Sequence, residues 1–191
     1  MKMLSLNSLF PILLTTIILQ INKNELTAQS KYSASTGTIS FFSSAPIEDI
    51  RAATNSFSSE MDLDKGTLSF IVPIEGFIFK KKLMQKHFNE QYMESDKFPS
   101  AFFEGRFEQT PSGGSSQASQ FETRVKGDIT IKGVTRPLVE EVILRWSRDD
   151  IVATCKFNVR LEDFGIKIPR MLIRNIAEVV EVTIDVKYKK S

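Results

Sequence analysis

Histidine and cysteine, the residue types that most often supply nucleophiles, general bases and metal ligands, each occur once, as His87 and Cys155. A zinc site takes three or four such ligands at short spacings, so the sequence predicts no metal site and no cofactor. No Gly-x-Ser-x-Gly turn of a serine hydrolase and no glycine-rich phosphate loop occurs. We therefore expect no catalytic residues and no enzyme activity.

Packing explains both residues better than chemistry does. His87 stands beside Phe88 on the apolar face of a predicted helix, where a packed, hydrogen-bonded histidine is expected. Cys155 alternates with Ala153 and Phe157 on the apolar face of a predicted strand, where a free cysteine behaves as a small hydrophobe. A single cysteine forms no intrachain disulfide, so the fold must be stabilised by its core.

The elements that carry these residues show strict two-residue alternation. In residues 121–133 every odd position from Phe121 to Ile131 is apolar or small, and charged residues occupy the even positions. Successive side chains of a strand point to opposite faces, so this strand has one dry face. The same pattern recurs in residues 142–146, 151–161 and 180–188. Strands that are wet on one face are typical of antiparallel sheets.

One further strand and one helix complete the main elements. Residues 67–79 alternate until Glu75-Gly76, where the phase slips, which predicts a β-bulge. Residues 80–93 have the periodicity of the one convincing helix, with Met84 and Phe88 on its apolar face. The other segments are a strand at 38–42, a helical turn or extended arm at 46–53, a strand at 101–107, a hairpin tip at 110–120, and turns at 133–137 and 148–150.

These elements predict an all-β fold, an eight-stranded antiparallel barrel with one inserted α-helix at a mouth. The N-terminus has a different composition. Lys2, an apolar stretch at 4–21 and small residues around Ala28 are typical of a secretory signal peptide. A retained membrane anchor is the alternative, but Pro11 and polar residues shorten the apolar stretch. We expect residues 1–29 to be the signal peptide and 30–191 to be the barrel domain.

This organisation predicts an exported protein, periplasmic or alternatively secreted, with no stable membrane span after processing. The remaining chain of about 162 residues is a normal size for one domain. Its charge is close to neutral and no basic face is evident, which argues against a nucleic-acid partner. The residues leave open whether the chain forms a homodimer.

The predicted inward faces are rich in aromatic side chains, and we expect no charge on them. An eight-stranded barrel is just wide enough either to pack solid or to hold one small ligand, and the residues alone leave both options open. If a cavity exists, its occupant should be an apolar or amphiphilic small molecule. The residues predicted to bind it are Phe41, Phe70, Val72, Phe77, Met84, Phe88, Phe103, Phe107, Ile129, Trp146, Phe157 and Val182.

Three segments resemble known motifs. Residues 127–137, GDITIKGVTRP, are similar to the "G-x-L-T-I-x-G-V-T-[KR]-P" segment of the YceI-like family, and FPSAFF at 98–103 and DFGI at 163–166 follow its other motifs in order. The resemblance covers about residues 32–188. It implies a lipocalin-like barrel whose relatives bind long amphiphiles such as polyisoprenoids in an elongated apolar cavity. Residues 41–46, 81–90 and 161–165 depart from the family pattern, so the resemblance does not transfer the head-group contacts.

Two functions follow from these observations. The first is an exported protein that binds an elongated apolar or amphiphilic ligand, of polyisoprenoid, quinone or fatty-acyl type, inside the barrel. The alternative is a non-enzymatic envelope or interaction protein with a solid core and no ligand.

Overall fold

Strands make up most of the described chain. The computed structural model describes residues 30–44, 48–111, 120–147, 150–168 and 177–191. The strands are β1 (Lys31–Ser43), β2 (Ile50–Thr54), β3 (Ser58–Asp62), β4 (Thr67–Pro73), β5 (Ile78–Phe79), β6 (Ser100–Phe107), β7 (Gln120–Ile131), β8 (Val134–Ser147), β9 (Asp150–Arg160) and β10 (Val179–Lys190). The helix α1 (Lys82–His87) continues into a π-helical turn, Phe88–Met93, and 3-10 turns cover Ile74–Gly76 and Leu161–Phe164.

The predicted signal peptide, residues 1–29, lies outside the described residues, as does nearly all of the predicted tip at 110–120. None of the helices in the described ranges has the length and apolar character that a membrane span requires.

The sheet closes into an antiparallel barrel because its first and last strands pair with each other. The order is β10-β9-β8-β7-β6-β4-β3-β1, and β1 returns to β10 along a ladder from Tyr32 opposite Lys190 to Phe42 opposite Glu181. Closure leaves no free sheet edge at this junction. The predicted eight-stranded antiparallel barrel with one α-helix is confirmed.

Eight strands appear as ten segments because two of them are interrupted. The segments β2 and β3 keep one register along β1, where Lys31 pairs with Asp62 and Ile39 with Thr54. The 3-10 turn Ile74–Gly76 separates β4 from β5. The predicted β-bulge at Glu75-Gly76 is therefore wrong, although the phase slip is real: the four residues from Ile74 to Phe77 leave the ladder. A Cβ on Gly76 would lie 2.8 Å from Thr54 Oγ1, so the close strand approach requires glycine there.

The first strand is longer than predicted. It spans 13 residues rather than five, because its polar first half pairs with both β3 and β10. Only Tyr32 and Ala34 are apolar in that half, and a register shift between Ala34 and Thr36 puts them out of phase with Ile39, so ladder hydrogen bonds with non-local neighbours decide its conformation. Part of the segment at 46–53, which was predicted as a helical turn or extended arm, belongs to the strand β2.

The predicted helix at 80–93 is also corrected. Only Lys82–His87 is α-helical, and Phe88–Met93 widens into a π-helical turn. The turn ends at Glu94, which has a left-handed backbone with φ 49° and donates its N–H to Asn89 O. A π-helical turn accommodates an extra residue, and it lets Phe88 and Met93, five positions apart, face the barrel together.

The turn between β7 and β8 is tighter than predicted. It consists of Lys132 and Gly133 alone, with φ angles of 49° and 74°, as a two-residue type I′ hairpin requires. Residues 134–137 are already in β8, and Pro137 pairs with Asp128 of β7. The next hairpin is confirmed, because Ser147 pairs with Asp150 at its base.

Candidate ligand cavity

The two halves of the barrel interior differ. At one end Leu144, Ile151 and Val186 are fully buried, belong to one hydrophobic cluster and do not line the cavity. At the other end, under α1 and the π-helical turn, the interior holds a cavity of about 350 Å³. That volume is within the range of small-molecule sites, which are mostly apolar with a few polar groups. The solid-core alternative therefore describes only half of this barrel.

The period-two alternation of the strands decides which side chains reach the cavity. On β7, Val125 and Ile129 line it, while the alternate residues Lys126 and Asp128 face solvent. On β9, Ala153, Cys155 and Phe157 line it in the same way. All but two of the predicted ligand-binding residues line this cavity, namely Phe41, Phe70, Val72, Phe77, Met84, Phe88, Phe103, Ile129, Phe157 and Val182.

Phe107 and Trp146 are the two predicted residues that do not line the cavity. Both face inward, but each lies near the far end of its strand, at the packed end of the barrel. Phe107 is buried in the same cluster as Leu144 and Ile151, and Trp146 packs against that cluster. Alternation predicts the face on which a side chain lies but not its depth along the barrel axis, so these two could not be separated from the others.

A cluster of four aromatic rings closes the cavity beneath the helix. The Phe88 ring lies 5.5 Å from Phe41, 5.8 Å from Phe77 and 5.0 Å from Phe79, measured between centroids. Tilted and offset arrangements at these distances are favourable aromatic contacts. Phe79 is absent from the predicted ligand-binding residues. It lies two positions after Phe77, on the same face of the chain, and this spacing could have identified it.

At the boundary with the packed end, the fully buried Tyr188 lines the cavity. Its hydroxyl oxygen lies 2.6 Å from Ser59 Oγ, and Ser59 Oγ donates its own proton to Ser69 O at 2.6 Å. Tyr188 must therefore be the donor to Ser59, because a serine hydroxyl has one proton. Burial raises the pKa of Tyr188 far above its usual value, so this phenol stays neutral.

The thiol of Cys155 also lines the cavity. Burial, with a smaller effect from the negative charge of Glu140, raises its pKa to about 11. Because the thiolate is the nucleophilic form, the neutral thiol acts as the small hydrophobe that the sequence predicts. No group of three or more metal-ligating side chains occurs among the described residues.

His87 lines the cavity from α1, next to Met84 and Phe88. Within the described ranges its ring makes no hydrogen bond, so the hydrogen-bonded histidine that we expected is not observed. The half-buried ring is instead a polar group at the rim of an apolar space.

The expectation that no charge faces inward is wrong, because Glu140 lines the cavity. Alternation places Leu138 and Glu140 on the same inward face of β8 as Val142. From the sequence, inward residues were assigned to this strand only from Val142 onwards. Burial, reinforced by the neighbouring charge of Glu141 and opposed by Arg124, raises the pKa of the Glu140 carboxyl. Glu48 lines the cavity as well, but its carboxylate pairs with Lys81 Nζ at 2.6 Å.

Beside Glu140 the ladder between β8 and β9 ends. The ladder between β8 and β9 runs from Ser147 opposite Asp150 to Val142 opposite Cys155 and ends there. Beyond this point the strands separate, and residues of the following 3-10 turn and Ile166 pack between them. We call this separation the β8–β9 gap. Pro137 lies in the part of β8 without a β9 partner, and proline is tolerated where a strand has an edge.

Solved structures share this architecture. A polyisoprenoid-binding domain from Saccharophagus degradans, implicated in plant cell wall breakdown, superposes with a TM-score of 0.73 at 12% identity, over 85% of this chain and 99% of that one. BcnA of Burkholderia cenocepacia superposes with a TM-score of 0.66 at 16% identity, covering 79% and 95% of the two chains. The YceI protein of Campylobacter jejuni gives 0.61 at 14% identity, covering 76% and 87%.

Sequence comparison agrees with the fold. No curated protein matches the chain in sequence. The model of the YceI-like domain, in contrast, matches residues 27–188, which include all ten strand segments except the end of β10. On the strength of that match, the chain belongs to the YceI-like domain family.

Proposed function

We propose that this protein binds one elongated apolar or amphiphilic molecule inside the barrel and carries or sequesters it outside the cytoplasm. The observation that carries the proposal is the cavity of about 350 Å³, whose lining is apolar except for a few groups at its rim and wall. A cavity of this kind loses van der Waals contacts when it is empty, and an apolar chain restores them.

The chemistry of the lining supports binding rather than turnover. The inward groups that could act as nucleophile or base include a neutral thiol, a neutral phenol, the carboxylates of Glu48 and Glu140, and one histidine without a partner; no hydrogen bond joins the thiol to a base among the described residues. Catalysis of this kind requires a nucleophile and a base within hydrogen-bond reach of each other. The proposal is therefore a binding protein without enzymatic activity.

The ligand type is proposed from two supports. One similar structure is described as a polyisoprenoid-binding domain, and the aromatic and methionine side chains here suit a flexible hydrocarbon. Polyisoprenoid, quinone and fatty-acyl chains all have that character. Export rests on the composition of residues 1–29, which predicts a signal peptide and hence a periplasmic or secreted location.

Mass spectrometry of an organic extract and a chain-length titration test the proposal. Protein purified from its native compartment should release a hydrophobic molecule. Affinity for straight alkyl alcohols should rise by up to about 0.8 kcal/mol per added methylene until the cavity is full. Undetectable binding, or affinity that is independent of chain length, would contradict the proposal.

A pair of variants adds a control for the site. Val182→Phe places a larger ring in the cavity, whereas Thr183→Phe places the same ring on the opposite face of β10. The first should weaken binding of the longest chains and the second should not, with circular dichroism showing an intact barrel in both. Equal effects of the two changes would argue that the chains bind elsewhere.

A further inference from the structure

Glu140 is unusual among the residues around the cavity. Two carboxylates line the cavity, and Glu48 is neutralised by Lys81 at 2.6 Å. Within the described part of the chain, Glu140 has neither an ion-pair partner nor a hydrogen-bond donor. Its side chain is half-buried on the inward face of β8, opposite Val125 of β7, and is flanked by Leu138 and Val142, which also line the cavity.

Glu140 lies next to the β8–β9 gap, and this position determines which groups its carboxylate can contact. The last ladder pair is Val142 with Cys155, and Glu140 is the next inward residue of β8 beyond that pair. Cys155 lines the cavity at the same place. The Glu140 carboxylate and the Cys155 thiol therefore border the point where the apolar cavity meets the gap.

The charges around this carboxylate do not neutralise it. Glu141, the next residue, adds negative charge. Arg124 on β7 opposes the effect of Glu141 on the pKa of Glu140, but more weakly. The Nη1 atom of Arg124 lies 3.7 Å from Glu108 Oε2. The Cys155 thiol that faces Glu140 is neutral. A partly buried carboxylate without a donor is costly to the fold, and such local costs are typical of functional positions.

We propose that Glu140 holds the polar head of the bound molecule and selects heads that donate a hydrogen bond or carry positive charge. The inference rests on the proposed function and narrows its ligand class. Long-chain amines and alcohols fit, with the chain in the apolar cavity and the head at the β8–β9 gap. Carboxylate and phosphate heads do not, because they bring a second negative charge to an acceptor that lacks a donor.

Three ligands with the same chain and different heads test this selection. Hexadecylamine, hexadecanol and palmitate are titrated at pH 7, below their aggregation concentrations, by displacement of a fluorescent apolar probe. The wild-type protein should bind the amine most tightly and palmitate most weakly, with at least a tenfold difference in Kd between them, as expected for a hydrogen bond to a charged group.

Variants of two adjacent residues assign the effect. Glu140→Gln should reduce the difference in Kd between the amine and palmitate to about threefold or less. Glu140→Lys should reverse the order of affinities, so that palmitate binds more tightly than the amine. Glu141→Gln removes the same charge from the exposed face of β8 and should leave the order and its size unchanged. Thermal melts establish that each variant is folded.

The outcomes separate this inference from the proposed function. If all three chains bind but the order of heads is the same in wild type and Glu140→Gln, the head-group role of Glu140 is overturned and the carrier function remains. If none of the chains binds, both are overturned. If Glu141→Gln changes the order as much as Glu140→Gln, the effect is a general surface charge and the assignment fails.

Discussion

The carboxylate of Glu94 lies 2.7 Å from the ammonium group of Lys132, and both residues have a left-handed backbone with φ 49°. They are the only such non-glycine residues in the described ranges. Glu94 ends the π-helical turn, and Lys132 begins the β7–β8 turn, so the ion pair ties the structure over the mouth to the barrel rim. Lys97 Nζ also lies 2.8 Å from Glu94, and the Phe98 ring packs over Gly133.

Stability at low pH should report on this ion pair. Hydrogen bonds from Lys132 and then Lys97 hold the pKa of Glu94 at about 2, below its ordinary 4.5. A lowered pKa means that the folded state favours the carboxylate, so its contribution is present above pH 4.5 and is lost as pH falls towards 2. Glu94→Gln should therefore melt at a lower temperature than wild type at pH 6, and the two melting curves should converge near pH 2.

Glu90→Gln is the control for that comparison. Its pair with Lys86 is 4.0 Å long and exposed, and pairs of this kind contribute little. A melting-temperature difference between Glu94→Gln and wild type that stays constant from pH 6 to pH 2 would show that the charge of Glu94 is not responsible.

Gly133→Ala should destabilise the barrel by about 1–3 kcal/mol. The glycine has φ 74°, and an added Cβ would lie 2.6 Å from Phe98 Cε1. Gly165→Ala is a matched control, because Gly165 has φ 66° but no heavy atom within 4 Å of an added Cβ. Urea unfolding of both variants separates the backbone cost, which they share, from the contact with Phe98. Equal losses would mean that the ring moves aside freely.

Replacing Glu140 should stabilise the ligand-free protein at neutral pH. Burial raises the pKa of this carboxyl, with Glu141 adding to the effect and Arg124 opposing it, while the facing Cys155 is neutral. A raised acid pKa means that the folded state disfavours the charge, so the cost appears as pH rises through the ordinary value of 4.5. Glu140→Leu should melt higher than wild type at pH 7, with a smaller difference at pH 4.

The exposed neighbour Glu141→Leu serves as the comparison for that melt. Glu141 carries the same charge but does not line the cavity. Its replacement should therefore raise the melting temperature at pH 7 by less than Glu140→Leu does. A Glu140→Leu protein that is less stable than wild type at pH 7 would indicate a structural partner for the carboxylate.

Met84→Trp should weaken the binding of long alkyl chains by at least about tenfold. Met84 lines the cavity from α1, and a larger rigid ring there narrows the space beneath the helix. Leu83→Trp on the same helix is the control, since Leu83 is 64% exposed and does not line the cavity. Fluorescent-probe displacement measures both variants, and equal weakening would place the chains outside the barrel.

The local sequence pattern was sufficient for much of this fold. Strict alternation from Phe121 to Ile131 determined which face of β7 is dry, because successive strand side chains point in opposite directions whatever the neighbouring strand is. The same argument holds for Phe157 on β9 and Val182 on β10, and both line the cavity. One-sided strands that are wet on the outside also indicated an antiparallel barrel.

Other features depended on residues distant in sequence. The polar half of β1 became a strand because β3 and β10 pair with it. Glu140 borders the β8–β9 gap because the ladder ends at Val142, and Phe107 is packed because other strands fill that end of the barrel. Alternation is a property of one strand, whereas depth along the barrel axis, the position of a gap and the division between hollow and solid halves arise only when all eight strands pack together.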